Sequence, residues 1–270
     1  MASANQPLAG RRVVVTRALE QAGELAAALE RLGAEVLLMP TVEFTPPAEW
    51  QLVDAELRKL DRFGAILFVS KNAVRYILAR CRDLGMKCEM LSGPRLVAAV
   101  GPGTAETATR AGIRVDYVAK HHTGEALARE LAGELRGRHV LLPRSDRGDE
   151  RLPAALRAAG AEVSEVVAYR TTPPTALDPR MLESVRGGTV DAIIFASPSA
   201  FHNLCGWIPD SELAELSRRV QFAAIGPTTA GALRKAGVQV EIAAPEATAA
   251  ALAEAIVSYY ERHPAAVRRA

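Results

Sequence analysis

The sequence has little cysteine, and what it has carries no pattern. Cys81, Cys88 and Cys205 form no CxxC pair and are odd in number. That excludes a disulfide framework and points to reduced thiols in a cytoplasmic protein. An excess of one charge is also lacking. Lys and Arg total 33 against 31 Asp and Glu, a formal net charge of +2. No global field draws such a chain to nucleic acid or to a membrane surface, so an anionic ligand has to be met by local groups. No apolar run is long enough to span a bilayer, and the start, Met1 to Pro7, lacks the charged and apolar regions of a signal peptide. GxGxxG and GxxxxGKS/T do not occur, which removes the common nucleotide-binding fingerprints, and no GxSxG elbow is present. His121-His122 lack metal-ligand spacing and read as a solvated loop, while His139, His202 and His263 are isolated. No metal site is expected.

What is there is a repeat. Gly33-Ala34-Glu35-Val36 returns as Gly160-Ala161-Glu162-Val163. At the same spacing Arg17 matches Arg144, Pro46-Pro47 matches Pro173-Pro174, Ala65–Phe68 matches Ala192–Phe195, and Ser70 matches Ser197. After a loss of two residues Gly101-Pro102 matches Gly226-Pro227, and Thr104-Ala105 matches Thr229-Ala230. With 270 residues, 49% of them apolar and 24% charged, the chain suffices for two globular domains. Two copies of one unit imply two similar lobes with a cleft between them.

Each copy reads alike. A β-rich run (Val13–Val15, Val140–Leu142) leads to a helix that stops at Gly33 or Gly160. Extended runs follow at Glu35–Pro47 and Glu162–Pro174, then buried strands at Ala65–Val69 and Ala192–Ala196. Further strands are expected at Leu96–Val100 and Phe222–Ile225, and at Val115–Ala119 and Val240–Ala244. The last helix of each copy is capped by Thr123 or Thr248. Short apolar runs alternating with helices predict parallel sheets covered on both faces, in the α/β, doubly wound, flavodoxin-like manner. The two long runs exceed a usual strand and end in Pro-Pro, which cannot continue inside a sheet. They are read as connectors at which the chain crosses between lobes. Residues 1–9 and 261–270 read as loose tails.

Open parallel sheets bind ligands beyond the carboxyl ends of their strands. Those ends carry Thr16-Arg17 and Arg144-Ser145, Ser70-Lys71-Asn72 and Ser197-Pro198-Ser199, and Gly101-Pro102-Gly103-Thr104 and Gly226-Pro227-Thr228-Thr229. Each opens a helix whose first turn offers unpaired N–H groups, a setting for carboxylates or phosphates. Ser and Thr there are also ordinary caps, and Gly-Pro is ordinary turn chemistry. Arg17 and Arg144 are read either as anion anchors or as members of surface ion pairs. The Arg144–Arg151 stretch, with Asp146, Asp149 and Glu150, reads as a solvated loop running into a helix. Tyr169 breaks the repeat, standing where the other copy has Val42. It serves either core packing or chemistry in the cleft.

These residues resemble the uroporphyrinogen-III synthase family over roughly residues 10–257. The likeness rests on Val14–Arg17, Phe68-Val69-Ser70 with Asn72-Ala73-Val74, Ala168-Tyr169-Arg170-Thr171, Phe195–Ser199 and Ala224–Ala230. The resemblance implies two flavodoxin-like lobes with parallel sheets, joined by a two-stranded β-ladder. One lobe would comprise residues 1–38 with 172–270 and the other residues 39–171. It implies a linear tetrapyrrole polycarboxylate as substrate, hydroxymethylbilane, closed to uroporphyrinogen III with inversion of the last ring and loss of water. It implies a lyase of haem biosynthesis without metal or organic cofactor, with Tyr169 as proton donor and Ser197 and Thr228 at the cleft. A monomer without nucleic-acid or membrane partners is expected. The chain departs from the family at Asn72, where Arg is frequent, and at Gln221, where some members carry Lys. A non-catalytic tetrapyrrole- or small-anion-binding module is the alternative. A two-lobed transferase or periplasmic-type binding protein, reached by fold analogy alone, is weaker.

Overall fold

The computed structural model describes residues 6–264, the side chain of Asp210 excepted. Eleven strands follow in chain order: β1 Arg12–Val15, β2 Glu35–Leu38, β3 Glu43–Thr45, β4 Ala65–Phe68, β5 Leu96–Ala99, β6 Tyr117–Val118, β7 His139–Ser145, β8 Glu162–Thr172, β9 Ala192–Phe195, β10 Gln221–Ala224 and β11 Ile242–Ala243. They form two sheets, ordered β2-β1-β9-β10-β11 and β3-β8-β7-β4-β5-β6. The pairs from β2 to β11 in the first sheet and from β8 to β6 in the second are parallel. The expected α/β class with parallel sheets is therefore present.

The chain divides into two compact units, Met1–Glu43 with Thr172–Ala270, and Phe44–Thr171. The first unit takes β1 and β2 from one copy of the repeat and β9, β10 and β11 from the other. The second takes β7 and β8 from the second copy and β4, β5 and β6 from the first. Counted within its own copy, and setting aside β3 at the edge of the second sheet, each sheet runs 2-1-3-4-5, the flavodoxin-like order. The first crossing lies between Glu43 and Phe44, inside β3, later than the 38/39 boundary implied by the resemblance.

Period-two alternation shows why both sheets are covered on both faces. In β4, Ile66 and Phe68 join one buried cluster with Val74, Ile77 and Val97. Ala65 and Leu67 join another with Leu127, Leu135 and Leu156. A strand buried on both sides has to be apolar throughout, as β4 and β9 are. In the first unit Val13, Val15 and Ile194 pack on the helices Leu19–Arg31 and Ala249–Arg262 through Leu25, Leu29, Leu252 and Ile256. The Phe195 ring packs on those of Phe201 and Phe222, with centroids 5.4 Å apart in both cases. The helix stops are as read: Gly33 and Gly160 have φ of +93° and +89°, which L side chains rarely adopt.

Three readings need correction. The long connectors are not alike. The second is one strand of eleven residues, β8. The first breaks into β2 and β3 around a buried Thr41, whose hydroxyl donates to the Ala200 carbonyl at 2.8 Å and whose carbonyl accepts from the Asn203 amide at 2.7 Å. The Thr41 N–H still bonds the Thr16 carbonyl at 3.1 Å, so its buried main-chain groups are met partly by backbone and partly by the Asn203 side chain. The tails are shorter than read. Leu8 is fully buried, its N–H bonds Leu32, and the last helix runs to Arg262. The remainder of both tails lies outside the described residues. Finally, helices at Gln51–Leu57, Pro179–Arg186 and Asp210–Arg219 had no place in the sequence reading. Among the described residues no helix is long and apolar enough to cross a membrane.

Candidate functional site

Both units present helix starts at the carboxyl ends of their strands, and these starts are of two kinds. Ser70 and Ser197 are true caps. The Ser70 hydroxyl accepts the Ala73 N–H at 3.0 Å, and Ser197 accepts that of Ala200 at 3.1 Å. Gly101 and Gly226 cap nothing with a side chain, and each is followed by Pro at the first helical position. Glycine-capped starts keep first-turn N–H groups that no carbonyl within the helix reaches, which suits an incoming carboxylate.

In the first unit the strand-end residues divide. Thr16 is fully buried and its hydroxyl donates to the Ile194 carbonyl at 2.7 Å, so it locks β1 to β9 and has no free donor. That corrects its reading as a binding residue. Arg17 is half-buried and bonds Gln21 at 3.3 Å, with no ion pair among the described residues. Burial lowers its pKa, which Glu24 partly opposes. Pro198 and Ser199 are partly exposed, Thr228 is exposed and Thr229 is buried. Gln221 opens β10 at its amino end, so the departure noted there lies away from these helix starts.

The second unit gathers more chemistry. Tyr169 lies near the end of β8, nearly buried, with its hydroxyl 3.1 Å from that of Ser70. Its ring is stacked on Tyr76, centroids 5.7 Å apart, and meets the edge of Phe44 at 5.6 Å. Tyr76 in turn donates to the Phe44 carbonyl at 2.6 Å. Such a cage fixes the ring while leaving the polar tip at the sheet's carboxyl end. Burial raises the phenol's pKa, the Ser70 and Ser145 hydroxyls pull it back, and the Asp146 charge raises it further. The phenol thus stays protonated through neutral pH and can act as a proton donor.

At the helix starts of this unit, Asn72 and Thr104 are buried and Lys71 is exposed. The Lys71 chain crosses Gly103 so closely that a Cβ on Gly103 would fall 2.4 Å from its Cε and 2.9 Å from its Nζ. A lysine ammonium thereby stands over the helix start Pro102–Thr109. The His122 ring lies beside Gly101 in the same region.

Arg144 behaves differently from the anchor it was read as. It is buried, and its guanidinium pairs with Glu165 and, at 2.8 Å, with Glu150. The loop after it closes on this pair: a Cβ on Gly148 would fall 2.3 Å from the Arg144 Nε. The ion-pair alternative is the one the geometry favours. Nor is that loop simply solvated. Ser145 bonds Thr171 at 3.1 Å, and the Asp146 carboxylate accepts the Thr171 N–H at 2.9 Å. Tyr169, Ser70, Ser145 and Lys71 are thus brought to one end of one sheet, while Arg144 and Thr16 serve the frame. Phe44, Tyr76 and Asp146 escaped sequence reasoning. A signal for the aromatics existed: their repeat counterparts are Thr171 and Asn203, so they break the repeat just as Tyr169 does. Among the described residues no three His, Cys, Asp or Glu side chains gather as a metal site.

Comparison with known proteins follows the same line. Residues 23–254 match the family model described as uroporphyrinogen-III synthase HemD. The uroporphyrinogen-III synthase of Synechococcus elongatus is 30% identical over 249 residues, covering 91% of this chain and 94% of that protein. That of Chlorobaculum parvum is 31% identical over 233 residues, covering 85% and 91%. The crystal structure of uroporphyrinogen-III synthetase from Helicobacter pylori shares the fold with a TM-score of 0.64 at 19% identity, covering 92% of this chain and 99% of that one.

Proposed function

The chain belongs to the uroporphyrinogen-III synthase family, and from that premise we propose that it closes hydroxymethylbilane to uroporphyrinogen III with Tyr169 as the proton donor. The reaction is that of a hydro-lyase and needs no cofactor. The C–O bond of the substrate's hydroxymethyl group breaks, the oxygen leaves with the electron pair, and the Tyr169 proton makes it water. The substituted carbon of the last, electron-rich pyrrole then attacks the methylene carbon of the azafulvene, giving a spiro intermediate whose rearrangement inverts that ring. The proton released when the ring becomes aromatic again returns to the phenolate. Because the pyrroles are electron-rich, the protein's larger task is to hold a flexible chain folded.

The observation that carries this reading is the caged Tyr169 phenol, 3.1 Å from the Ser70 hydroxyl at the carboxyl end of a parallel sheet. In the second unit, substrate carboxylates would meet the open N–H that follows Gly101 together with Lys71; in the first, taken by itself, the groups of the same kind are Arg17, Ser199, Thr228 and the N–H groups that follow Gly226. Ser197 and Thr229 support those helix starts. Backbone donors tolerate side-chain drift, which accommodates Asn72 in place of the family's frequent Arg. The test supplies fresh hydroxymethylbilane and separates the porphyrin isomers after oxidation. Type III in excess is expected. Type I alone, formed at the rate without protein, would overturn the proposal.

A further inference from the structure

The second unit holds a buried amide that the mechanism above leaves unused. Asn72 is the second residue of the helix Lys71–Asp83 and is 4% exposed. Among the described residues its side chain makes no hydrogen bond. A buried amide without a partner lowers stability, so the fold by itself gains nothing from it. Nor is the amide sealed off. The fully enclosed side-chain atoms without a partner belong to Thr45, Arg95, Glu130 and Tyr260, not to Asn72. A narrow opening therefore remains through which a ligand can reach it.

Its place on the helix sets what it meets. Ser70, two residues earlier, bonds the Tyr169 hydroxyl at 3.1 Å. Tyr76, one turn later on the same helix face, stacks on the Tyr169 ring. Asn72 thus stands between the two contacts that hold Tyr169, at the carboxyl end of the same sheet. The other uncommitted groups at these helix starts are donors, the Lys71 ammonium and the Gly103 N–H over which it lies. The Asn72 carbonyl adds an acceptor.

The substrate supplies the matching donor. The hydroxymethyl group that Tyr169 protonates sits on the ring carbon next to a pyrrole nitrogen. As the C–O bond breaks, electrons of that ring and its nitrogen move to the exocyclic carbon, and positive charge develops on the N–H. The N–H keeps its proton in this step, and the charge passes to the last pyrrole when that ring attacks. A hydrogen bond given by a cationic N–H is about twice as strong as a neutral one, so an acceptor there gains strength while the bond breaks. We propose that Asn72 is a substrate-binding residue whose side-chain carbonyl accepts the N–H of the pyrrole that loses the hydroxyl, and so stabilises the azafulvenium as it forms. The proposal rests on the reading of Tyr169 as proton donor to that hydroxyl.

Three variants test it with fresh hydroxymethylbilane. Asn72→Leu keeps the volume and removes the carbonyl. Asn72→Asp keeps an acceptor, in a first helical turn that favours negative charge. Asn72→Arg offers donors only. In Asn72→Leu kcat falls about tenfold with KM within about twofold, the signature of an interaction made only in the transition state. Asn72→Arg loses at least as much, and Asn72→Asp stays within about threefold of wild type. The Tm of Asn72→Leu equals or exceeds that of wild type, where a residue kept for the fold would lose it. Wild-type kcat in Asn72→Leu overturns the inference, whether or not Tm falls. So does a raised KM in Asn72→Leu that Asn72→Arg restores, since the amide would then be a donor to a carboxylate. Each of these results leaves the wild-type isomer ratio and the loss in Tyr169→Phe intact. Failure of the underlying reading shows instead as type I alone from wild type, or as full turnover in Tyr169→Phe.

Discussion

Equivalent positions in the two units carry unequal chemistry. Ser197 in the first unit caps its helix and bonds nothing else among the described side chains, whereas Ser70 in the second caps its helix and also holds Tyr169. Pro198 has Lys71 as counterpart, and Thr228 has Gly103, over which Lys71 lies. Arg17 is free of ion pairs among the described residues, while Arg144 is bound to two glutamates. Duplication supplied both units with the same strand ends and helix starts. Divergence then placed the titratable phenol and the ammonium in one unit and, in the other, a guanidinium that bonds only the neutral Gln21 among the described residues. The shared residues build the frame, and the residues that differ mark the chemistry.

The largest effect belongs to the position where the copies differ most. Tyr169→Phe keeps the ring in its cage with Tyr76 and Phe44 and removes only the hydroxyl. We expect kcat to fall about a hundredfold, the scale of general acid catalysis, with KM little changed. Val42→Leu, at the counterpart, adds one methylene to a buried position; some loss of Tm is expected from overpacking, but kcat should stay within about twofold. Equal losses at both positions, measured by steady-state kinetics with isomer analysis, would break the comparison.

The two arginines come next, and they should fail in different ways. Arg17→Met removes a charge-assisted contact to substrate and should raise KM about tenfold without changing Tm. Arg144→Met leaves Glu165 with only Arg157, at 2.6 Å, and Glu150 with none. Both glutamates keep solvent access, so the cost is on the order of 1–2 kcal/mol rather than that of a fully buried pair. Tm should drop, with KM of the remaining folded protein little altered. A raised KM in Arg144→Met with unchanged Tm would restore its reading as an anchor.

Much of this was legible in the sequence because it rests on local pattern. The apolar runs at Ala65–Phe68 and Ala192–Phe195 could only be strands covered on both faces, and Gly33 and Gly160 could only be stops. The length of the two long runs and the Pro-Pro that ends each marked them as the places where the chain crosses. Other features were hidden because they depend on partners distant in the chain. Nothing near Arg144 tells whether it meets Glu165 or a ligand, since that depends on the pairing of β7 with β8. Thr16 looked like a strand-end donor, but its carbonyl partner, Ile194, belongs to the other copy. Thr41 breaks the first connector by bonding Ala200, equally remote. Phe44 and Tyr76 were within reach, had every aromatic that breaks the repeat been given the weight that Tyr169 received.

The smallest difference is the most demanding test of the comparison, because it sets identical residues with identical local roles against each other. Ser70→Ala and Ser197→Ala each remove a cap from a helix start, and each should cost about 1 kcal/mol of stability. If the serines were merely copied caps, the consequences would end there and the two variants would match. Ser70, however, also bonds the Tyr169 hydroxyl, and a neutral hydrogen bond of that kind contributes about 1 kcal/mol. Ser70→Ala should therefore lower kcat a further fivefold or so beyond any effect of Ser197→Ala, by the usual relation of free energy to rate. The Tyr169 phenol should also titrate at higher pH in Ser70→Ala, because the Ser70 hydroxyl is one of the groups that pulls its pKa down against burial. Matching melting losses with unequal kcat would show that the duplicated caps have come to differ in role through a single neighbour. Equal kcat in the two variants would reduce Ser70 to its cap and leave Tyr169 without its nearest hydroxyl partner.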